Sequence, residues 1–263
     1  MSLLRQSALV LLATVLLVGC GSARKDPRDA SAEEVYAEAK ADLDNGAYDA
    51  AIRGLSRVEA LGAGTLVAQQ AQLDLAYAQW KSGEREVALA TLDRFIKFNP
   101  SSPALDYAIY LRGLVNFNDN LGLLGAISRQ DLSERDQQAS RDAFLSFKQL
   151  VDQFPNSRYT PDAAQRMAYI VNSLASHEVH VARYYYRRGA YVAAANRAQR
   201  AVAEFQNSPS AEEALYIMAQ AYDKLGLTAL RDGADRVLKQ NFPDSRFLRD
   251  GLRVPDRAWW QFW

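Results

Sequence analysis

The sequence predicts an all-α fold made of repeated helical hairpins, and three observations carry that prediction. First, Gly189-Ala190-Tyr191-Val192-Ala193-Ala194 has a near copy at Gly46-Ala47-Tyr48-Asp49-Ala50-Ala51 and a weaker one at Gly83-Glu84-Arg85-Glu86-Val87-Ala88. In each, a glycine closes one amphipathic pattern and a small residue sits one turn into the next. Glycine there supplies the positive φ that caps the first helix, and alanine lets the return helix come close. Second, the spacing recurs: Gly46 to Gly83 and Gly189 to Gly226 are both 37 residues, and Gly83 to Pro100 and Gly226 to Pro243 are both 17. Third, Phe154-Pro155-Asn156-Ser157-Arg158-Tyr159 and Phe242-Pro243-Asp244-Ser245-Arg246-Phe247 share one turn skeleton.

Taken in order, the elements fit five repeats. Repeat one opens at Ser31-Ala32-Glu33-Glu34, a capping box, and places Tyr36, Ala39, Lys40 and Leu43 on one face. Ala51, Leu55 and Val58 line its return helix. In repeat two Leu73, Ala76, Tyr77 and Trp80 recur at i, i+3, i+4 and i+7, a helix face aimed at a core. Ala88, Leu92, Phe95 and Ile96 answer it, and Asn99-Pro100 stops the helix. Repeat three begins at Ser102-Pro103, N-cap then N1, with Tyr107, Tyr110, Leu111 and Leu114 inward. Its second helix carries Ala143, Phe147, Leu150 and Val151. Between them lies an insertion, about residues 119–136, that includes the apolar run Leu121-Gly122-Leu123-Leu124-Gly125-Ala126-Ile127. It either folds back over the repeats or meets a partner. Repeat four starts at Thr160-Pro161-Asp162 and meets no breaker before Gly189, which allows one long helix or two with a bend near Ser176. Repeat five starts at Ser210 with Glu213 as its capping partner, and Ala214, Ile217, Met218, Ala221 and Tyr222 form its face. A tetratricopeptide hairpin repeats every ~34 residues. The 37-residue spacing therefore reads as a slightly stretched version, a right-handed superhelix (α-solenoid) of five helix-turn-helix repeats over residues 31–248.

Residues 1–19 read as an export signal. Arg5 is followed by an apolar run from Ala8 to Val18, shorter than the ~20 residues a membrane span needs. The run ends Leu17-Val18-Gly19-Cys20, the pattern of a bacterial lipobox, and Cys20 is the one cysteine of the chain. Small residues before the cysteine admit the signal peptidase, and the thiol takes the diacylglycerol. Residues 20–30 then form a polar tether. Gly21 and Ser22 lack the aspartate that marks inner-membrane retention, so the expected place is the outer membrane, lipid-anchored and facing the periplasm. With 31 basic and 31 acidic residues there is no net basic surface for a nucleic acid.

Helical repeats offer exposed faces rather than a deep pocket. The chain has no GxSxG, P-loop or GxGxxG. His177-Glu178-Val179-His180 is not a zinc-protease motif, and His177 falls on the apolar side with Ile170, Leu174 and Val181, as a packed histidine would. No enzyme, cofactor or metal site is expected. The chemically distinctive stretch is Arg183-Tyr184-Tyr185-Tyr186-Arg187-Arg188, running up to the Gly189 corner, with Asn196, Arg197 and Arg200 on the return helix. Arginine and tyrosine together favour protein interfaces; alternatively Tyr185 is core and the arginines are a solvated face.

Several segments resemble the BamD (ComL) family of lipoproteins of the β-barrel assembly (BAM) machinery. They are Gln72-Leu73-Asp74-Leu75-Ala76-Tyr77-Ala78, Asp93-Arg94-Phe95-Ile96-Lys97-Phe98-Asn99-Pro100, Tyr110-Leu111-Arg112-Gly113-Leu114, Pro155-Asn156-Ser157-Arg158-Tyr159, Val181-Ala182-Arg183-Tyr184-Tyr185, and Arg188-Gly189-Ala190-Tyr191 with Asn196-Arg197. The resemblance implies a scaffold under the outer membrane that helps insert β-barrel proteins. It implies C-terminal repeats that dock a POTRA domain of BamA, with Arg197 facing an acidic POTRA residue and Arg188, Tyr191, Asn196 and Arg200 around it. Other BAM lipoproteins are implied as partners. N-terminal repeats are implied to receive the C-terminal strand of unfolded precursors. Where many relatives have an aromatic turn after repeat one, this chain has Leu61-Gly62-Ala63-Gly64-Thr65.

The tail, residues 249–263, holds Trp259, Trp260 and Trp263. It either caps the last repeat, anchors to a partner or lipid, or mimics a precursor's aromatic end. Rival readings of the whole are another envelope lipoprotein of the same repeat type, such as a secretin pilotin or peptidoglycan-synthesis adaptor, and a lipid-anchored enzyme using His177 or His180.

Overall fold

The structure, a computed structural model, describes residues 30–117 and 137–252. The described residues are all-α, as expected, with ten long helices and one short terminal helix. The lipobox with Cys20, the 119–136 insertion and the tryptophans of the tail lie outside the described residues. The chain divides into two compact units, one ending at Glu84 and one beginning at Arg85.

The first unit holds α1 (Ala32–Asp44), α2 (Tyr48–Leu61) and α3 (Leu66–Lys81). The Ser31 capping box forms: its Oγ accepts from Glu34 N at 3.2 Å, and its own N–H donates to Glu34 Oε2 at 3.1 Å. Val35, Ala39 and Leu43 of α1 pack with Ala51, Leu55 and Val58 of α2 and with Ala71, Leu75 and Ala78 of α3. Tyr36 stands at the margin of this core, held by Asp74 at 2.7 Å, and Lys40 snorkels from the same face to Asp44 at 2.7 Å. α1 and α2 come so close that a Cβ on Gly54 would lie 2.6 Å from the Ala39 methyl. α3 departs from the single apolar face read in the sequence. Leu73 and Ala76 are buried, but so are Ala71, Leu75 and Ala78. At 100° per residue these positions lie on different sides, so α3 is enclosed from more than one direction.

The second unit runs α4 (Arg85–Phe98), α5 (Leu105–Asn116), α6 (Gln137–Gln153), α7 (Thr160–Arg187), α8 (Tyr191–Glu204), α9 (Ser210–Lys224), α10 (Thr228–Asn241) and α11 (Arg246–Asp250). α5 begins at Leu105, so Ser102-Pro103 is not its N-cap and first residue; Ser102 closes the preceding turn instead. Its fully buried side is Ala108, Ile109, Leu111 and Val115, and Tyr107, Tyr110 and Leu114 are half-buried. Gly113 is where α5 meets α6: a Cβ there would fall 2.4 Å from the ring of Phe147, itself fully buried. The repeat-four ambiguity resolves as one continuous helix of 28 residues, without a break at Ser176. Nothing after Pro161 interrupts it until Gly189, so α7, about 42 Å long, serves two cores. Its first half packs Ala163, Ile170 and Leu174 with Phe147 and Leu150 of α6. Its second half packs Val179 and Ala182 with Ala194 and Ala198 of α8 and Ala214 and Ile217 of α9.

The corners are of one kind. Gly189 has φ 75° and Gly46 has φ 76°, where a side chain would be strained. Around each, the next N–H reaches back five residues, Ala190 to Tyr185 O and Ala47 to Asp42 O, the Schellman closure of a helix end. A second kind of turn recurs after α4, α6, α8 and α10, so the described residues hold four copies rather than the two visible in the sequence. Ser102, Ser157, Ser208 and Ser245 each donate N–H to the carbonyl three residues back, and each Oγ accepts the N–H two residues on. In the Ser208 copy Gln206 stands where the Ser157 and Ser245 copies have Pro, which hides it in the sequence. This turn also overturns the cap expected at Ser210. α9 takes Pro209 as its N-cap residue with no side-chain bond, and Glu213 points elsewhere.

Candidate protein-docking surface

The expected partner-binding residues lie at the α7–α8 corner and along α8. Arg188 is the C-cap residue of α7 and exposed, its guanidinium over the Tyr184 ring at 5.5 Å. Tyr191 opens α8 and meets Tyr186 edge-on, with ring centroids 5.6 Å apart. The buried side of α8 is Ala194, Ala195, Ala198 and Ala201. At 100° per residue Tyr191 falls on that side, while Asn196, Arg197 and Arg200 share the outward arc. The five residues thus form two groups, Arg188 with Tyr191 at the corner and Asn196, Arg197 and Arg200 along the helix. In the tyrosine run, Tyr185 packs on the α7–α8–α9 core and Tyr184 is exposed.

What fixes the second group is a residue the motif search passed over. Glu178 of α7 is only 2% exposed, set among Leu174, Ala175, Val179 and Ala182. Arg197 Nη1 donates to its Oε2 at 3.1 Å and its Oε1 at 3.4 Å. Arg200 Nη1 lies 3.6 Å from Oε1. A carboxylate taken out of water requires such partners. The signal was present in the sequence as a charged residue at a core position of the helical pattern. Arg197 nevertheless keeps 35% of its side chain exposed, and both its bonds to Glu178 use the same nitrogen. Arg200 extends the chain of charges to Glu204 at 4.0 Å, and Glu204 to Arg141 of α6 at 3.8 Å.

A second ion pair explains Glu213. Arg183 Nε donates to its Oε1 at 2.6 Å, tying α7 to α9. The pair borders a 340 Å³ cleft that also takes in Arg187, Arg246, Phe247 and Asp250. His177 is half-buried and His180 exposed. Among the described residues, no three His, Cys, Asp or Glu side chains gather as a metal site would need, and no helix is long and apolar enough to cross a membrane.

Residues 28–238 match the YfiO family, described as outer membrane lipoprotein. The chain is 44% identical over 246 residues to the outer membrane protein assembly factor BamD of Neisseria meningitidis serogroup B, covering 92% of each chain. It is 36% identical over 236 residues to the BamD of Haemophilus influenzae, covering 90% of each. Among solved structures, the MamA protein aligns with a TM-score of 0.38 at 16% identity, over 85% of this chain and 97% of that one.

Proposed function

The chain belongs to the YfiO family of outer membrane lipoproteins, and from that premise we propose that it is a lipid-anchored, non-enzymatic scaffold that docks BamA and unfolded β-barrel precursors. Its work is that of an outer membrane protein assembly factor, the name its relatives carry. The anchor is the diacylglyceryl thioether of Cys20, on the periplasmic face of the outer membrane. Other lipoproteins of the machinery bind the same scaffold.

The observation that supports docking at Arg197 is its half-used guanidinium. Glu178 holds one nitrogen of the fork and so fixes the side chain before a partner arrives, which lowers the ordering cost of binding. The rest of the fork, at a position 35% exposed, suits a second carboxylate. Asn196 and Arg200 flank it on the same arc, and Arg188 and Tyr191 supply a cation and an aromatic ring at the corner.

Co-purification from solubilised outer membranes tests this. Arg197→Ala alone would leave Glu178 partly unpaired, so the informative variant is Arg197→Ala with Glu178→Gln, compared with Glu178→Gln alone. BamA is expected to co-purify stoichiometrically with Glu178→Gln and to be lost from the double variant. Retention of BamA by a folded double variant refutes the Arg197 site.

A further inference from the structure

The turn between α2 and α3 has a property that neither packing nor the docking surface uses. Leu66 is 74% exposed and Leu61 48% exposed. Between them, Ala63, Gly64 and Thr65 are also exposed, and the sequence from Ala60 to Leu73 carries no charge. The turn is held in one shape: Thr65 Oγ1 donates to Gly62 O at 2.6 Å and accepts from Ala68 N at 3.3 Å. The two leucines are therefore presented to solvent by a fixed scaffold, on a tip that carries no charge.

Its place in the fold indicates what covers it. Gly62 lies against the start of α1, the Ala32 methyl being 3.3 Å from where its Cβ would stand. That is where the tether arrives: nine residues lie between Cys20 and Ala30, a contour of at most about 35 Å over the ten steps. The Gly46 corner is at the other end of α1, about 20 Å away. A chain fastened to lipid at Cys20 thus enters the first unit at the end where this turn lies, and the turn is within the tether's reach of the bilayer.

We propose that the turn at residues 61–66 is a second membrane contact, its leucines Leu61 and Leu66 entering the interfacial layer of the same leaflet that holds the Cys20 lipid. This rests on the lipid anchor at Cys20. An uncharged apolar tip needs no specific headgroup, and interfacial insertion buries such residues about 5–10 Å into the headgroup and acyl boundary. The acyl chains retain the protein; the turn sets the orientation of the first unit.

The test uses the full mature lipoprotein in phosphatidylethanolamine–phosphatidylglycerol vesicles. With Cys20 acylated, Leu66→Cys and, separately, Asp49→Cys introduce the sole free thiol, which is labelled with an environment-sensitive fluorophore. Brominated lipids are expected to quench the label at 66 several-fold more than the label at 49, with a blue shift only at 66. Equal, weak quenching at both sites in vesicles that float the protein overturns the proposal and leaves the anchor standing. A label at 66 that stays in water with lipid but becomes shielded on adding an unfolded barrel precursor assigns the turn to a protein client and overturns it equally. Mass spectrometry showing unmodified Cys20, in protein that does not float, refutes the anchor and the contact with it.

Discussion

Arg197→Ala is expected to destabilise the fold by a defined route. Glu178 is 2% exposed, and Arg197 is its nearer partner, at 3.1 Å against 3.6 Å for Arg200. Breaking a fully buried pair by removing one side costs about 3–5 kcal/mol, because the remaining charge is stranded. Here Arg200 stays in place and Arg197 is 35% exposed, so water reaches the gap, and a loss of about 2 kcal/mol is expected. For a chain of this length, a fall in Tm of about 4–8 °C follows at roughly 2–4 °C per kcal/mol. Thermal and urea unfolding of the mature protein, followed by circular dichroism, read both. Adding Glu178→Gln should recover about half of the loss, since a neutral amide is cheaper to strand than a carboxylate. The double-mutant cycle should therefore show coupling of at least about 0.5 kcal/mol. Additive effects, or an Arg197→Ala protein as stable as the parent, refute the claim that Arg197 holds Glu178.

Two further outcomes are expected. Gly113→Ala gains about 1 kcal/mol of helix propensity, but its Cβ would meet the buried Phe147 ring at 2.4 Å; overpacking of about 1–3 kcal/mol should win, and a raised Tm contradicts the close α5–α6 contact. Tyr110 donates to Asp162 Oδ2 at 2.7 Å, and Arg166 donates to the same oxygen at 2.6 Å. Burial, then the bond to Asp162, pushes the Tyr110 hydroxyl up to about 12. Its contribution is thus complete below about pH 10 and is lost as the pH rises toward about 12. Burial alone would raise Asp162, but the bonds from Arg166 and Tyr110 outweigh it and hold the carboxyl below its ordinary value. Its contribution is present above the ordinary carboxylate range and is lost as the pH falls through the depressed value. Tyr110→Phe should flatten the alkaline limb of a stability–pH curve, and an unchanged limb rules out the Tyr110 assignment.

The sequence by itself determined what depends on short-range chemistry. The Gly46 and Gly189 corners, the Ser31 capping box and the apolar faces of α2 and α4 are local, because helix periodicity and a positive φ are written within a few residues. Tertiary structure decided the features that join residues far apart. Glu213 is spaced from Ser210 like a capping partner, yet it turns to Arg183, thirty positions away, because a half-buried guanidinium on α7 is a stronger acceptor's partner than a backbone N–H that Ser208 already serves in its turn. α3 reads as one-faced in sequence, yet it is buried on several sides, since burial counts neighbours and not spacing. Glu178 stands at a core position of the α7 pattern, but its partners are decided only when α8 brings Arg197 and Arg200 over it. The arginines could be named from the sequence; the buried carboxylate that aims them is a product of two helices packing together.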